Sequence, residues 1–309
     1  MATDLWDSNA VSGYTPEANE PTPLNLLENV FDLPFEEYRK IDALNFHSLK
    51  DFQWDPKAWH GGYFETKQRT SPALTLGTQL HELVLQGAET FHENNALWTP
   101  PLNPSTGKPF GPTSDKYKNA LSDFGKANAG KNLYTDEDWI TLGAMREAIQ
   151  WHPVAGPMLY SPNKKRSELV VHGEIIPGFK VKGAIDRYDE QYGIIDLKTT
   201  ASLEDESGRP TFRYNMRDYG YVEQLAYYQM LIHEVCGGNI PPVAIVAVET
   251  QLPFRVGVFV FDAAVMEKAR TVINEWLKRF ITCRRLDKFP SKWDSAQPVT
   301  AYWNAELKD

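Results

Sequence analysis

Apolar residues recur every three to four positions in five stretches of the chain, and this spacing predicts five amphipathic helices. The predicted helices cover residues 42–56, 71–87, 136–153, 219–238 and 263–286. The second helix carries its own start and stop signals. Ser71 is a good N-cap residue, Pro72 suits a first helical turn, and Gly87 suits a helix end. The first helix is expected to stop near Pro56.

Between the third and fourth helices the apolar period changes to two, which is typical of strands. The segments SELVVHGEI, FKVKGAIDRYD and YGIIDLKTT, separated by turn-like residues, predict an antiparallel meander of three strands. Two more strands are predicted from PPVAIVAVET and FRVGVFVFD. This order of elements predicts an α+β or mixed α/β fold, in which helices flank a central mixed sheet that contains the meander.

The composition changes at both ends of the chain. Residues 1–40 are polar, acidic and contain prolines, so we expect a mobile or loosely docked N-terminal arm. Residues 41–292 are expected to form one folded domain, followed by a tail over residues 293–309. Within the domain, residues 99–117 are dense in proline and glycine and predict a long loop.

The bulk composition limits the classes of protein to consider. Hydrophobic residues make up 42% and charged residues 24%, as in a soluble globular protein, and we expect no membrane span. The first residues lack the basic and apolar pattern of a signal peptide, and Cys236 and Cys283 are expected to be buried thiols in a reducing compartment. A net charge of −9 argues against a protein that coats nucleic acid nonspecifically, but it does not exclude a nuclease.

Charged residues interrupt the apolar meander in a regular way. Asp196 and Lys198 share one face of a strand, opposite the apolar Ile195 and Leu197. A turn near residues 189–191 would bring Asp186, on the preceding strand, close to Asp196. Two facing carboxylates repel each other unless a partner is present, and a divalent cation such as Mg²⁺ would be that partner. Together with the lysine this predicts metal-assisted phosphodiester hydrolysis, and the alternative is a surface hairpin with a cross-strand ion pair.

The pattern D-x(9)-D-L-K resembles the signature of the PD-(D/E)XK nucleases, without the proline before the first aspartate. More of the chain is similar to a narrower group, the exonuclease VIII (RecE)-like exonucleases of phage recombination systems, and to the broader RecB-like nucleases. The similar segments are LNFHSLKDFQWDPKAW, LTLGTQLHELVL, RSELVV, QLAYY and IVAVETQLPFRVGVFVFD. The resemblance extends, in order, over residues 40–290, and it implies a restriction-endonuclease-like core.

The resemblance also implies roles for residues in the meander. Asp186 and Asp196 would bind the metal, with the Leu197 carbonyl as a further ligand, and Lys198 would be catalytic. Glu168 would hold a metal-bound water or a second metal, and Glu174 is the alternative for that role.

Residues on the predicted helices complete the implied site. His81 would approach the metal, and Gly77, one turn earlier, would permit close packing there. Gln224 and Tyr228 would brace the lysine or touch DNA near the scissile phosphate. The simpler alternative for each of these side chains is a role in the core. The remaining histidines match no ligand spacing and are expected to be structural.

Basic and aromatic residues alternate before the fourth predicted helix. Arg209, Arg213 and Arg217 are interleaved with Tyr214, Tyr219 and Tyr221, and this mixture suggests contacts to a DNA end.

The function that the resemblance implies is a Mg²⁺-dependent exonuclease, with Mn²⁺ as a substitute, that degrades double-stranded DNA from its ends. The partners would be DNA ends, a single-strand annealing protein and further copies of the chain, in the cytoplasm of a bacterium or of a phage-infected host. The alternatives are an endonuclease, nickase or repair nuclease of the same fold, a catalytically silent DNA-end-binding protein, and an unrelated binding module. The acidic net charge and the C-terminal tail depart from the family pattern.

Overall fold

The computed structural model describes residues 20–65, 71–160 and 167–294. Eight strands are present in this part of the chain: β1 (Val30–Phe31), β2 (Asn95–Leu97), β3 (Asn132–Tyr134), β4 (Ser167–Ile176), β5 (Phe179–Asp189), β6 (Gly193–Thr200), β7 (Val243–Glu249) and β8 (Val256–Val260). Six of them form the central sheet in the order β1-β4-β5-β6-β7-β8, and β2 pairs with β3 in a small parallel sheet.

Eleven α-helices lie in the same part of the chain: α1 (Phe35–Lys40), α2 (Phe46–Trp54), α3 (Pro56–His60), α4 (Pro72–His81), α5 (Ala88–Asn94), α6 (Asp115–Ala127), α7 (Asp136–Trp151), α8 (Ala155–Leu159), α9 (Thr211–Tyr219), α10 (Tyr221–Met230) and α11 (Ala263–Leu286). A π-helical turn extends α4 over Glu82–Gln86, and another extends α10 over Leu231–Val235. A short 3₁₀ turn, Leu24–Leu26, precedes β1. None of the helices in the described residues is long and apolar enough to span a membrane.

The predicted meander and the mixed sheet are confirmed. Strands β4, β5 and β6 are antiparallel neighbours, β6 and β7 run parallel, and β7 and β8 are antiparallel. The parallel step arises because the chain between β6 and β7 crosses over through α9 and α10, whereas the other neighbours in β4–β8 are joined by turns.

The two faces of the sheet contact separate hydrophobic cores, because successive side chains of a strand point to opposite sides. In β7, Val243 and Ile245 belong to the core that includes α10 and α11, whereas Ala244 and Val246 belong to the core that includes α4 and α7. Helices therefore cover both faces, as the sequence predicts.

The N-terminal region differs from the prediction of a mobile or loosely docked arm over residues 1–40. Residues 1–19 lie outside the described residues, but residues 20–40 pack on the domain. Strand β1 pairs with β4, and the Tyr188 hydroxyl donates a hydrogen bond to the Thr22 carbonyl, 2.8 Å away. The Lys182 ammonium donates to the carbonyls of Tyr38, Arg39 and Ile41 at the end of α1, at 2.8 to 3.3 Å.

Several helices have no counterpart in the prediction, namely α1, α3, α5, α6, α8 and α9. Helix α6 follows the predicted loop and begins at Ser114, whose hydroxyl accepts from the Tyr117 backbone N–H at 3.3 Å. Its side chains are half-buried or exposed, which leaves a weak apolar stripe. The predicted helix end near Pro56 is confirmed, because α2 ends at Trp54 and Asp55, which precedes the proline, adopts extended angles before α3 begins.

Candidate active site

The ladder between β5 and β6 opens where the predicted aspartates lie. The paired positions end at Arg187 and Ile195. One residue further along, the Asp186 side chain takes the place of a backbone partner and accepts a hydrogen bond from the Leu197 backbone N–H, at 2.8 Å. The opening therefore places a carboxylate between two central strands.

His81, the last residue of α4, reaches the same carboxylate. Its Nδ1 atom lies 3.5 Å from Asp186 Oδ2. Burial disfavours the imidazolium, but the Asp186 charge outweighs this effect and raises the pKa of His81. Gly77 lies one turn earlier, and a Cβ atom there would lie 3.2 Å from Thr199 Oγ1 of β6. The glycine lets α4 approach the sheet closely at this point.

Burial opposes the charged form of Asp186 as well. The interactions with His81 and with the Lys198 ammonium outweigh this opposition and lower the pKa of Asp186. These interactions favour the ionised form of Asp186.

Asp196 and Lys198 lie two residues apart on β6 and form an ion pair, with 2.5 Å between Lys198 Nζ and Asp196 Oδ2. The side chain of Asp196 is 2% exposed and that of the lysine 17%, so the carboxylate bears the greater loss of hydration. Burial, together with repulsion from Asp186, raises the pKa of Asp196 despite the lysine. Burial also disfavours the ammonium of Lys198, but the two aspartates outweigh it and raise its pKa, so the lysine is a cation.

Glu168, on β4, is the third carboxylate of the cluster. Its backbone has a φ of +53°, which few residues other than glycine adopt, and its Oε2 atom accepts a hydrogen bond from Gln86 Nε2. Burial and the nearby Asp186 charge raise the pKa of Glu168 to about 7. The rival Glu174 is near the opposite end of β4, where it accepts from the Gly178 backbone N–H in the β4–β5 turn, at 3.3 Å. The geometry therefore favours Glu168.

Gln224 and Tyr228 are buried on α10 and touch each other, with the Gln224 amide donating to the Tyr228 hydroxyl at 2.9 Å. Burial and the charges of Asp196 and Asp186 raise the pKa of Tyr228 well above its ordinary value, so the hydroxyl keeps its proton beside the cluster. A Cβ atom at Gly183 would lie 3.3 Å from the Tyr228 ring, which shows how closely α10 packs on β5.

The predicted DNA contacts lie on α9 and the loop before it. They are Arg209, Arg213, Tyr214 and Arg217. Arg209 pairs with Asp205 at 2.7 Å, and Arg217 pairs with Asp218 at 2.8 Å. Tyr214 is exposed, and the Arg217 guanidinium lies 5.7 Å from its ring. Two of the three arginines therefore have carboxylate partners in this structure.

The structure adds residues that the sequence analysis did not assign to the site. Gln86 contacts Glu168 from the π-helical turn, and the ring of Tyr221 lies 5.0 Å from Lys198 Nζ. His47 was expected to be structural, yet the Lys198 charge contributes to lowering its pKa, after burial. No fixed spacing along the chain connects these residues to the D-x(9)-D-L-K pattern, because they come from other elements.

The donor chemistry of the cluster fits a hard divalent cation. Both carboxylate oxygens of Asp196 are buried; Oδ2 faces the Lys198 ammonium, and Oδ1 has no hydrogen-bond partner among the residues that the structure describes. Asp186 and Glu168 add further carboxylate oxygens, the ligands that Mg²⁺ and Mn²⁺ prefer. Across residues 20–65, 71–160 and 167–294, however, no three His, Cys, Asp or Glu side chains are placed so that they could hold a metal ion together. Asp186 and Glu168 instead face their own hydrogen-bond donors, His81 and Gln86.

Comparisons with known proteins agree with this architecture. The sequence profile of a family described as "PDDEXK-like domain of unknown function (DUF3799)" matches residues 49–300. A crystal structure of a provisionally assigned exonuclease from Eubacterium rectale is similar to this chain, with 16% sequence identity and a TM-score of 0.56. The similarity covers 90% of this chain and 98% of the other and shows a shared fold. No curated protein matches the sequence.

Proposed function

The chain belongs to the PDDEXK-like family DUF3799, and on that premise we propose that it is a Mg²⁺-dependent exonuclease that degrades double-stranded DNA from its ends. Family membership and fold support a nuclease. The observation that carries the finer proposal is the cluster of Asp186, Asp196 and Lys198 where β5 and β6 separate. The similarity to a provisionally assigned exonuclease supports attack at ends.

The proposed roles follow from the charges of the side chains. Asp186 and Asp196 would hold the metal, with Glu168 and the Leu197 carbonyl as further ligands, and His81 would orient Asp186. Such a metal supplies an acidified water and neutralises charge on the scissile phosphate when it is bound. Mn²⁺ would substitute for Mg²⁺, because it takes the same oxygen ligands.

Lys198 would act as a cation. Its raised pKa keeps the ammonium protonated, so we assign it to orienting the attacking water and to stabilising negative charge on the phosphorane, rather than to accepting a proton. Gln224 and Tyr228 would hold the wall of the site beside the aspartates, through the hydrogen bond between them.

We extend the proposal to the context of the reaction. The single strand that remains would be the substrate of an annealing protein, and a homo-oligomer around DNA would keep the enzyme on its substrate, in a bacterial or phage-infected cytoplasm. Light scattering after size-exclusion chromatography, with and without duplex DNA, tests the oligomer. A strict monomer on DNA would contradict that part of the proposal alone.

The decisive experiment is digestion of linear and covalently closed duplex DNA, in Mg²⁺ or in EDTA, by the native protein and by Lys198→Ala. We expect loss of linear DNA only, in Mg²⁺ only, and no loss with the variant. Cutting of the closed circle would refute the exonuclease proposal and indicate an endonuclease of the same fold. Binding of DNA ends without any cutting by the folded native protein would refute the enzymatic proposal.

A further inference from the structure

A sharp elbow joins α9 to α10 beside the candidate active site. Gly220 forms this elbow in the left-handed conformation, with a φ of +69°, and it is the only residue between the two helices. A Cβ atom at this position would lie in ordinary contact with Lys50 of α2, 3.4 Å from its Nζ, so it is the backbone conformation that favours glycine. The elbow places a tyrosine on either side, Tyr219 at the end of α9 and Tyr221 at the start of α10.

The two tyrosines lead from the site to the solvent. The Tyr221 ring lies 5.0 Å from Lys198 Nζ, in a cation–π contact. The Tyr219 ring lies 5.7 Å from the Tyr221 ring, at an interplanar angle of 32°. Tyr219 is 57% exposed, although a large aromatic side chain loses favourable free energy in water. The Tyr219 ring is therefore exposed to solvent and separated from Lys198 by the Tyr221 ring.

Helix α2 forms the other side of this region and is basic there. Lys50 Nζ donates a hydrogen bond to the Tyr219 carbonyl, at 2.5 Å, and thereby fixes the elbow against α2. His47 lies one turn before Lys50 and is exposed. Partial desolvation of the ring, and then the charges of Lys198 and Lys50, lower the pKa of His47, which favours the neutral imidazole.

An exposed aromatic ring beside cationic side chains, here Lys198 and Lys50, is an arrangement by which proteins bind single-stranded nucleic acid. Bases stack on the rings, and the cations attract the phosphates. Bases within a duplex cover one another, so only an unpaired strand offers its base faces to a tyrosine. We propose that Tyr219 and Tyr221 form a base-stacking subsite for a DNA single strand next to Lys198, with Lys50 facing its backbone. This inference rests on the proposed nuclease function and specifies how one strand is held.

The test measures binding without cleavage. A short fluorescein-labelled oligothymidylate is titrated with the full chain in excess EDTA, and fluorescence anisotropy gives Kd. Tyr219→Leu removes the aromatic face but keeps apolar bulk, Tyr219→Phe keeps the face, and Trp151→Leu removes a more accessible aromatic ring, 75% exposed, from α7. We expect Tyr219→Leu to weaken binding about 5- to 150-fold, and the other two variants to bind within about twofold of the native protein.

A second measurement does not depend on any variant. An oligonucleotide that carries 2-aminopurine at one terminus should lose fluorescence when the native protein binds it, since stacking on a tyrosine quenches that base. Equal binding by Tyr219→Leu and the native protein, or binding without quenching, would overturn the subsite, and so would absence of oligonucleotide binding by the native protein.

Digestion of duplex DNA by the same preparation separates the two proposals. Cleavage together with equal oligonucleotide binding by all variants would leave the nuclease proposal standing and remove the subsite. Stacking without cleavage in Mg²⁺ would support the subsite and refute the nuclease proposal.

Discussion

Gln86 contacts Glu168 from a helix that lies 82 positions earlier in the chain, by donating a hydrogen bond from its side-chain amide to the carboxylate. The contact depends on the π-helical turn Glu82–Gln86, which continues α4 beyond His81. One continuous element thus supplies partners to two carboxylates of the site, His81 to Asp186 and Gln86 to Glu168. π-Helical turns inside α-helices are frequent at functional sites.

The first prediction concerns this amide. Gln86→Leu leaves the Glu168 carboxylate without its donor, so the side chain that would hold a metal-bound water loses its orientation. Partners behind metal ligands typically contribute 10- to 100-fold to metal affinity or activity, and we expect a loss of about that size in DNA cleavage. The half-saturating Mg²⁺ concentration should rise as well, and a titration of the cleavage rate with Mg²⁺ measures both.

Gln53→Leu is the matched control for Gln86→Leu. The Gln53 amide donates to the Trp276 carbonyl, at 3.3 Å, and accepts from Arg279, at 3.0 Å, so the variant removes an amide of similar connectivity. The Gln53 variant should keep the native Mg²⁺ dependence. An equal shift in both variants would mean that Gln86 matters only for general stability.

The second prediction concerns the stability of the metal-free protein between pH 5 and pH 7. The pKa of Glu168 is about 7 in the fold, above its ordinary value of 4.5, so the folded state binds more protons than the unfolded state between these two values. The contribution of Glu168 to stability must then fall as pH rises through this window, by the linkage between proton binding and folding. Glu168→Gln cannot titrate and should lose less stability over the same range.

Thermal melting in EDTA at several pH values measures this difference. Glu174→Gln is the control, because Glu174 lies on the same strand but near the β4–β5 turn. The control should follow the native curve, and Glu168→Gln should gain in melting temperature relative to it as the pH approaches 7. A Glu168→Gln curve parallel to the native one would show that this carboxyl group ionises normally.

The sequence predicts well which face of a strand each charged side chain occupies, because this depends only on local alternation. Period-two alternation is enough to place Asp196 and Lys198 on one face and Ile195 and Leu197 in the opposite core. Asp186 requires one additional step, a turn of known length. The positions of these residues can be predicted with little knowledge of the rest of the chain.

Other parts of the site depend on how distant elements meet. Gln86 reaches its partner only because the helix changes to a π-helical turn, and an apolar pattern does not encode that change. Tyr221 and His47 approach Lys198 from two helices that are far apart in sequence. Helix α9 was not predicted, because only Phe212 and Met216 are buried on it and its remaining residues are polar or aromatic.

The third prediction contrasts two buried lysines on neighbouring strands. Lys198→Met should reduce DNA cleavage by about 10²- to 10⁴-fold, the range for a group that acts directly on the reacting atoms. Lys182→Met should keep metal-dependent cleavage but lower the free energy of unfolding by about 1–3 kcal/mol, because the carbonyls at the end of α1 lose their donor. Urea unfolding and cleavage assays on both variants check the separation. Loss of cleavage in folded Lys182→Met would contradict it.

The last prediction concerns metal binding without catalysis. The carboxylates of Asp196 and Asp186 repel each other, and this repulsion contributes to the raised pKa of Asp196, so a divalent cation should stabilise the folded state. At ten times its Kd, a metal that binds only the folded state adds about 1.4 kcal/mol, which corresponds to a rise of a few degrees in melting temperature for a domain of this size. Melting curves of the DNA-free protein in Mg²⁺ or Mn²⁺ and in EDTA measure this rise. Asp196→Asn should abolish it, whereas Asp123→Asn, at an exposed position on α6, should not. An equal rise in both variants would place the bound metal elsewhere on the protein.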